Sequence, residues 1–475
     1  MMAAVNGLTA SDIADVVRNR RTTARQVVED CLRAIETHNK SLNVFTNLVP
    51  GRALQKADAV DAALAAGLPA GPLAGVPFAA KNLFDIAGVT TRAGSLINRR
   101  NPPATADATA IARLEAAGAI LVGACNMDEY AYGFVGENAH DGPSRNPHNL
   151  HHMTGGSSAG PAAAVAAGLV PLSLGSDTNG SIRVPAGFTG LFGLKPTFGR
   201  LSRRGAFPFV SSLDHVGPLG RSARDLALAY DALQGFDEAD PAMTKRPHEP
   251  VGSRLGYRIP GVRIGVADGY FAGEGAARAA VARVATALEA GRSVGIANAH
   301  AARAAAFLIT MAEGAALHLD RLRTEPEHFD PEVRDRLLAG ALLPAGWVIE
   351  AQRFRRQFRD AVLRHFDGLD AILAPTTPMA APLIGQKTGT LGGVEMPLRP
   401  HIGIFTQPIS FVGLPAISVP VWLDGHSLPM GVQIIAAPWR EDICLRIAHQ
   451  LELAGVVRAP VASGFAEPEP AKVAG

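Results

Sequence analysis

The chain is poor in cysteine and in aromatic residues. Three cysteines, Cys31, Cys125 and Cys444, are scattered over 475 residues, and aromatics make up 6% of the chain. That cysteine spacing is neither a disulfide framework nor a zinc pattern and fits a reducing compartment, so a cytoplasmic location is expected. The first twenty residues hold no apolar segment of the kind a secretory leader needs. Charge of one sign is lacking too: 45 basic and 43 acidic residues leave a formal net charge of +2. A nucleic-acid partner would call for a clustered basic face. The basic runs Arg18–Arg21 and Arg353–Arg356 are short and read as solvated helix surface. Residues 153–176 carry no charge, but they contain Pro161, Pro171 and five glycines. A spanning helix needs about 20 predominantly apolar residues. This stretch reads instead as closely packed, buried backbone, and no membrane span is expected.

What the chain has in quantity is glycine and proline, 50 and 34 residues. A bundle of long helices would not carry so many breakers. Thr23–Gln26 has the form of a capping box ahead of Val28, Cys31, Leu32 and Ile35 at helical spacing, which predicts two helices within about 10–39. Apolar runs at 73–81, 119–123, 169–174, 262–266 and 371–374 predict strands, and they alternate with helical segments such as 105–118 and 160–168. The alternation argues for α/β layers with helices on a central sheet. Residues 245–260 are polar and proline-rich and could be a surface connection or a subdomain seam. Because strands fall on both sides of every candidate linker, one domain over 1–462 is expected. The composition of 463–475 predicts a disordered tail.

Three features could carry chemistry. Gly156–Gly160 fits the G-x-S-x-G nucleophile elbow around Ser158, but the preceding residues 149–154 are too polar for the buried strand that motif requires. A phosphate cradle at a helix start lacks its lysine, and taken alone the run also reads as a flexible loop. In Thr178-Asn179-Gly180-Ser181, consecutive backbone N–H groups could face one site, as in an oxyanion hole; Ser181 could equally cap a turn. Lys81 ends an apolar run, where desolvation would make it a usable neutral base, unless it reaches the surface as most lysines do. His148, His151 and His152 cluster without a zinc-binding pattern and read as a solvated loop; no metal and no cofactor are expected.

Taken together, Lys81 in GVPFAAKNLFDIAGVTT, GGSSAG at 155–160 and GSDTNGSIRVPAGFTGLFGLKPTFGRLS at 175–202 resemble the amidase signature family. The resemblance is dense over about 70–235 and returns at 371–378, 405–420 and 428–435. It implies one large amidase domain with a central mixed, twisted sheet covered by helices on both faces. It also implies a Ser–cisSer–Lys triad of nucleophile Ser181, relay Ser157 and base Lys81. Backbone N–H groups of Thr178, Asn179, Gly180 and Ser181 then form the oxyanion hole, with Ser158 and Asp177 in support and Thr154 and Asn179 near the substrate. Ala159 and Asn179 stand where the family commonly has glycine.

Within the family, the A subunit of the glutamyl-tRNA amidotransferase holds glutamine with an arginine and an aspartate. The arginine position corresponds to Arg355 in AQRFRR, while the aspartate position is Gly403. A buried ammonium without that carboxylate would be poorly satisfied, so an amino-free carboxylate or acyl urea fits better than glutamine. The strings NMDEYAYGF (126–134), SDTNGSIRVPA (176–186), LKPTFGRLSRRGAFPFV (194–210), AQRFRR (351–356) and IAAPW (435–439) resemble the 1-carboxybiuret hydrolase branch of biuret and cyanuric acid breakdown. That likeness implies hydrolysis of a C–N bond with release of ammonia, Arg355 as carboxylate anchor, and a small helical partner akin to the C subunit of the amidotransferase. The expected assembly is then a heterotetramer or a homodimer, with neither nucleic acid nor membrane as a partner. The alternatives are a glutamine-hydrolysing component of a tRNA-dependent amidotransferase, or a non-catalytic binding subunit.

Overall fold

The computed structural model describes residues 7–257 and 259–466. In chain order the strands are β1 (Phe45–Leu48), β2 (Pro77–Lys81), β3 (Ile120–Cys125), β4 (Leu172–Ser176), β5 (Phe192–Lys195), β6 (Val216–Gly220), β7 (Ile264–Ala267), β8 (Arg292–Val294), β9 (Ala371–Pro375), β10 (Thr388–Leu391), β11 (Val394–Pro397), β12 (Ala416–Val421) and β13 (Met430–Ala436). Eleven of them form one sheet in the order β1-β3-β2-β4-β6-β5-β12-β13-β9-β7-β8, while β10 and β11 pair as a separate hairpin. The β3-β2-β4 and β9-β7-β8 groups are parallel and the middle of the sheet is antiparallel, so the sheet is mixed. Helices Ala159–Ala166, Arg183–Thr189, Ala223–Leu233, Gly275–Ala287 and Glu441–Leu453 pack against it. The chain is thus a single large α/β domain with helices flanking a mixed sheet.

Strands β2, β3, β4, β12 and β13 are buried at every position. Strands buried on both faces lose the apolar/polar alternation of a half-exposed sheet, which is why the sequence shows them as short continuous runs. The sheet continues across 245–260 into β7, β8 and β9, so that stretch is a surface connection and not a seam. Asp231 holds it by accepting the N–H groups of Val251 and Gly252; Arg258 lies outside the described residues.

The two N-terminal helices form over Ala10–Arg18 and Ala24–Leu42. Only half of the capping box expected at Thr23 is made. Thr23 Oγ1 accepts the Gln26 N–H, but the Gln26 side chain donates to Asp30. The carboxylate of Asp61, on the next helix, takes the Ala24 and Arg25 N–H groups and so leaves the first turn little need of Gln26. The uncharged 153–176 stretch is buried throughout. Its small residues allow close backbone approach: a Cβ on Gly160 would lie 2.7 Å from the Asn126 backbone. Among the described residues no helix is long and apolar enough to cross a membrane. Of the expected tail, Phe465 stands edge-on to His38, and 467–475 lie outside the described residues.

Candidate active site

Because β2 and β4 are adjacent and parallel, their last residues, Lys81 and Ser176, emerge on the same edge of the sheet. The glycine-rich loop that precedes helix Ala159–Ala166 arrives at that edge, with a cis peptide between Gly156 and Ser157. Lys81 Nζ lies 2.6 Å from Ser157 Oγ and 2.9 Å from Ser176 Oγ. Ser158 turns the other way: its hydroxyl donates to the Ser176 carbonyl, and its N–H donates to the carbonyl of Ser181. The elbow candidate is therefore occupied in stitching the serine loop to β4 and to the turn that carries Ser181.

Lys81 is fully buried, and burial pushes its ammonium down to about 7, against the opposing charges of Asp128, Asp214 and Asp177. A lysine poised there is half neutral near physiological pH and can accept a hydroxyl proton. Lys195, equally buried and also brought down to about 7 by burial and by Arg183, is differently placed. Its Nζ donates to the carbonyls of Pro196 and Leu414 and faces His215 Nε2, with no serine in reach. Geometry, not basicity, separates the two lysines.

The turn after β4 is held from beneath by Asp177, whose two carboxylate oxygens receive Arg183 Nε at 3.0 Å and Nη2 at 3.1 Å. Both side chains are fully buried, and Arg183 also donates to Gln433, Ser410 and the Thr406 carbonyl. The guanidinium holds the Asp177 carboxyl well below the usual carboxylate range in spite of burial. From above, Thr178 Oγ1 donates to Asp214, and Thr406 Oγ1 donates to the Asn179 carbonyl. Gly180 has φ +141°, and a Cβ there would stand 2.1 Å from Thr406 Oγ1, so no other residue fits without moving the turn. Among the described residues, the N–H groups of Thr178, Asn179, Gly180 and Ser181 donate to no protein acceptor. Four successive free donors beside a nearly buried serine are what a developing oxyanion requires.

Ser181 and Asn179 line a narrow cleft with Tyr132, Phe134, Thr310, Arg336, Arg399 and Gln407. A cavity of about 370 Å³ adjoins it and shares Phe307, Arg336, Arg399 and Pro400. Another, of about 260 Å³, reaches Ser176 and Thr178 past Leu83, Phe207 and Pro208, but Ser181 does not line it.

The expected substrate contacts separate. Asn179 lies in the cleft, its Nδ2 donating to Thr310 Oγ1 and its Oδ1 buried without a partner. Thr154 is fully buried behind the serine loop and donates to the Gly155 carbonyl. Arg355 does not line the cleft: its Nε donates to the Phe411 carbonyl at 2.6 Å and its Nη2 to the Ser212 carbonyl at 2.8 Å. Its guanidinium ties the turn at Ser212 to the end of helix Gln407–Phe411, because carbonyls from these distant segments converge on it. The histidines also go separate ways. His148 shares a hydrogen bond with the Thr189 carbonyl and is pushed down to about 4 by burial, His152 meets the Ala381 carbonyl, and His151 is exposed. Among the described residues no group of three or more His, Cys, Asp or Glu could hold a metal ion. Arg336 and Arg399 lie outside every motif, and Tyr132 and Gln407 fall in matched segments, 126–134 and 405–420, that say nothing of what their side chains face. Only their convergence from distant segments marks them.

The space beside Gly403, the position that the resemblance equates with the amidotransferase aspartate, is filled by Phe134. A Cβ there would stand 2.5 Å from the Phe134 ring. Gly403→Ala is therefore expected to cost about 1–3 kcal/mol by overpacking, read as a lowered midpoint of unfolding in urea. An unchanged midpoint would show that Phe134 yields freely.

A buried lysine on a serine, a second serine on a turn of free N–H groups, and a narrow cleft beside them are the kind of site an amide hydrolase carries. The profile of the amidase family matches residues 26–445, and the chain belongs to that family. It is 51% identical to AtzE, a component of the 1-carboxybiuret hydrolase of Pseudomonas sp. (strain ADP), over 94% of this chain and 98% of that protein. It is 36% identical to the A subunit of the glutamyl-tRNA(Gln) amidotransferase of Geobacter metallireducens (strain ATCC 53774 / DSM 7210 / GS-15), over 94% of this chain and 97% of that one. Among solved structures it resembles an inhibitor-bound complex described as vestigial and as revealing the origins of an s-triazine catabolic enzyme. That likeness has a TM-score of 0.94 and 50% identity, covering 95% of this chain and all of the other.

Proposed function

We propose that this amidase hydrolyses a C–N bond of a small, carboxylated acyl urea of the 1-carboxybiuret type and releases ammonia. The observation that carries the reading is the contact of buried Lys81 with Ser157 at 2.6 Å, beside the turn that presents Ser181. Neutral Lys81 takes the Ser157 proton, Ser157 takes that of Ser181, and Ser181 Oγ attacks the carbonyl carbon. The oxygen of the tetrahedral intermediate is received by the free N–H groups of residues 178–181. Collapse breaks the C–N bond, and the departing nitrogen is protonated back through Ser157 and Lys81. Water then attacks the acyl-enzyme and frees the acid. Phe134, packed where an aspartate would have to stand at 403, disfavours glutamine.

Ammonia release from 1-carboxybiuret, biuret, allophanate, oxalurate and glutamine tests the reading. The expected ranking puts carboxylated acyl ureas first and glutamine last. A preference for glutamine would favour the amidotransferase alternative. Because protonated Lys81 cannot accept a proton, kcat/KM is expected to rise with pH through about 7 and then level off. A profile flat from pH 5.5 to 8.5 would remove Lys81 as the base.

A small helical partner is what the resemblance implies, and the similar solved structure, described as a protein complex, supports a partner of some kind. Co-purification with the product of an adjacent short reading frame tests it. A cytoplasmic setting suits the three free, buried cysteines.

A further inference from the structure

The cleft holds a set of polar groups that the proposed chemistry does not use. Arg399 Nη1 is buried without a hydrogen bond. Its nearest carboxylate is Glu332 at 3.9 Å; Nη2 lies 3.8 Å from Asp128 and 3.4 Å from the Glu137 carbonyl. These distances leave the guanidinium loosely held. Arg336 is fixed by carbonyls, Nε to Glu332 and Nη2 to Tyr132, both at 2.7 Å, with its guanidinium 3.9 Å from the centre of the Tyr132 ring. Three further groups in the same lining are nine-tenths or more buried and have an atom with no partner: Tyr132 Oη, Gln407 Nε2 and Asn179 Oδ1. Gln407 is oriented, since its Oε1 accepts from Arg303 and so leaves its amide N–H groups free.

Buried polar groups without partners are costly, and a cluster of them around one cleft calls for a ligand that completes it. The pattern is specific. Two guanidiniums suit a carboxylate, Gln407 Nε2 and Tyr132 Oη can donate to carbonyl oxygens, and Asn179 Oδ1 can accept an N–H. Among the described residues no carboxylate lines the cleft itself, and Glu137 and Glu332 line the adjoining cavity beside the arginines. An aryl or alkyl amide would leave the orphans unsatisfied, and an amino acid amide would set its ammonium against two arginines.

We infer that Arg399 and Arg336, and not Arg355, bind the substrate's carboxylate, while Asn179, Gln407 and Tyr132 read the ureido chain between that carboxylate and the carbonyl attacked by Ser181. The ligand class is a short, amino-free acyl urea ending in a carboxylate. The inference rests on the proposed function and adds the residues that select the substrate. The two arginines line both the cleft, of about 20 Å³, and the 370 Å³ cavity, so the bulk of the substrate would lie in the cavity with its neutral end directed at Ser181.

The test compares 1-carboxybiuret with biuret, the same skeleton without the carboxylate, in the wild type and in Arg399→Ala, Arg399→Lys and Arg355→Lys. Removing a charge-assisted, forked contact is expected to raise KM for 1-carboxybiuret about 10–100-fold. The ratio of kcat/KM for the two substrates falls at least 10-fold in Arg399→Ala. Added guanidinium ion restores part of it. If Arg399→Ala does not fold, Arg399→Lys keeps the charge, loses the fork and is expected to show a smaller fall in the same ratio. A ratio unchanged in the folded Arg399 variants, or one that collapses only in Arg355→Lys, overturns the inference and leaves the proposed function standing. A wild type that releases ammonia from neither substrate overturns the proposed function and the inference with it.

Discussion

Ser181→Ala is expected to lower ammonia release from a carboxylated acyl urea by about 10⁴–10⁶-fold, the range seen when the serine of a serine–base unit is removed. The size follows from the lack of a substitute. Ser158 is committed to the Ser176 carbonyl, and Ser157 sits against Lys81. Ser181 is the serine that both lines the cleft and stands on the turn of free N–H groups. Substrate affinity should survive, because the arginines proposed to hold the acid lie on other segments. A binding isotherm on the inactive variant separates the two effects. Loss of binding together with activity would mean that the turn itself had collapsed.

The second large effect is on stability. Arg183→Met is expected to destabilise the chain by about 3–5 kcal/mol, read as a lowered thermal midpoint, because it strands a fully buried carboxylate. Asp177 would lose both of its guanidinium contacts, and Gln433, Ser410 and the Thr406 carbonyl would lose a donor at the same time. The damage should reach catalysis as well, since Asp177 also accepts the Ile182 N–H just after Ser181. A midpoint within a degree of the wild type would show that the pair is dispensable.

The sequence was most informative where chemistry and chain proximity coincide. The strands that carry Lys81 and Ser176 stand out as apolar runs because both their faces are buried. The two serine turns stand out because close backbone approach demands glycine. The antiparallel middle of the sheet was harder to see, since β12 and β13 are fully buried apolar runs, which periodicity alone does not separate from buried helix. The substrate cleft was hardest. Tyr132 follows β3, Arg336 lies on helix Pro331–Ala341, and Arg399 and Gln407 flank Gly403, so their meeting is a property of the tertiary fold alone. Arg355 is a different case. A position matched by resemblance carries an arginine, but here that arginine is engaged by the carbonyls of Phe411 and Ser212. A side chain can keep its place in a motif while some of its donors serve the fold.

The most direct test of the central claim is to map the adduct formed with a small fluorophosphonate, by intact mass and then by peptide sequencing. One adduct per chain is expected, on Ser181, formed at a rate that rises with pH through about 7. An adduct on Ser158, or an active protein that forms none, would contradict it.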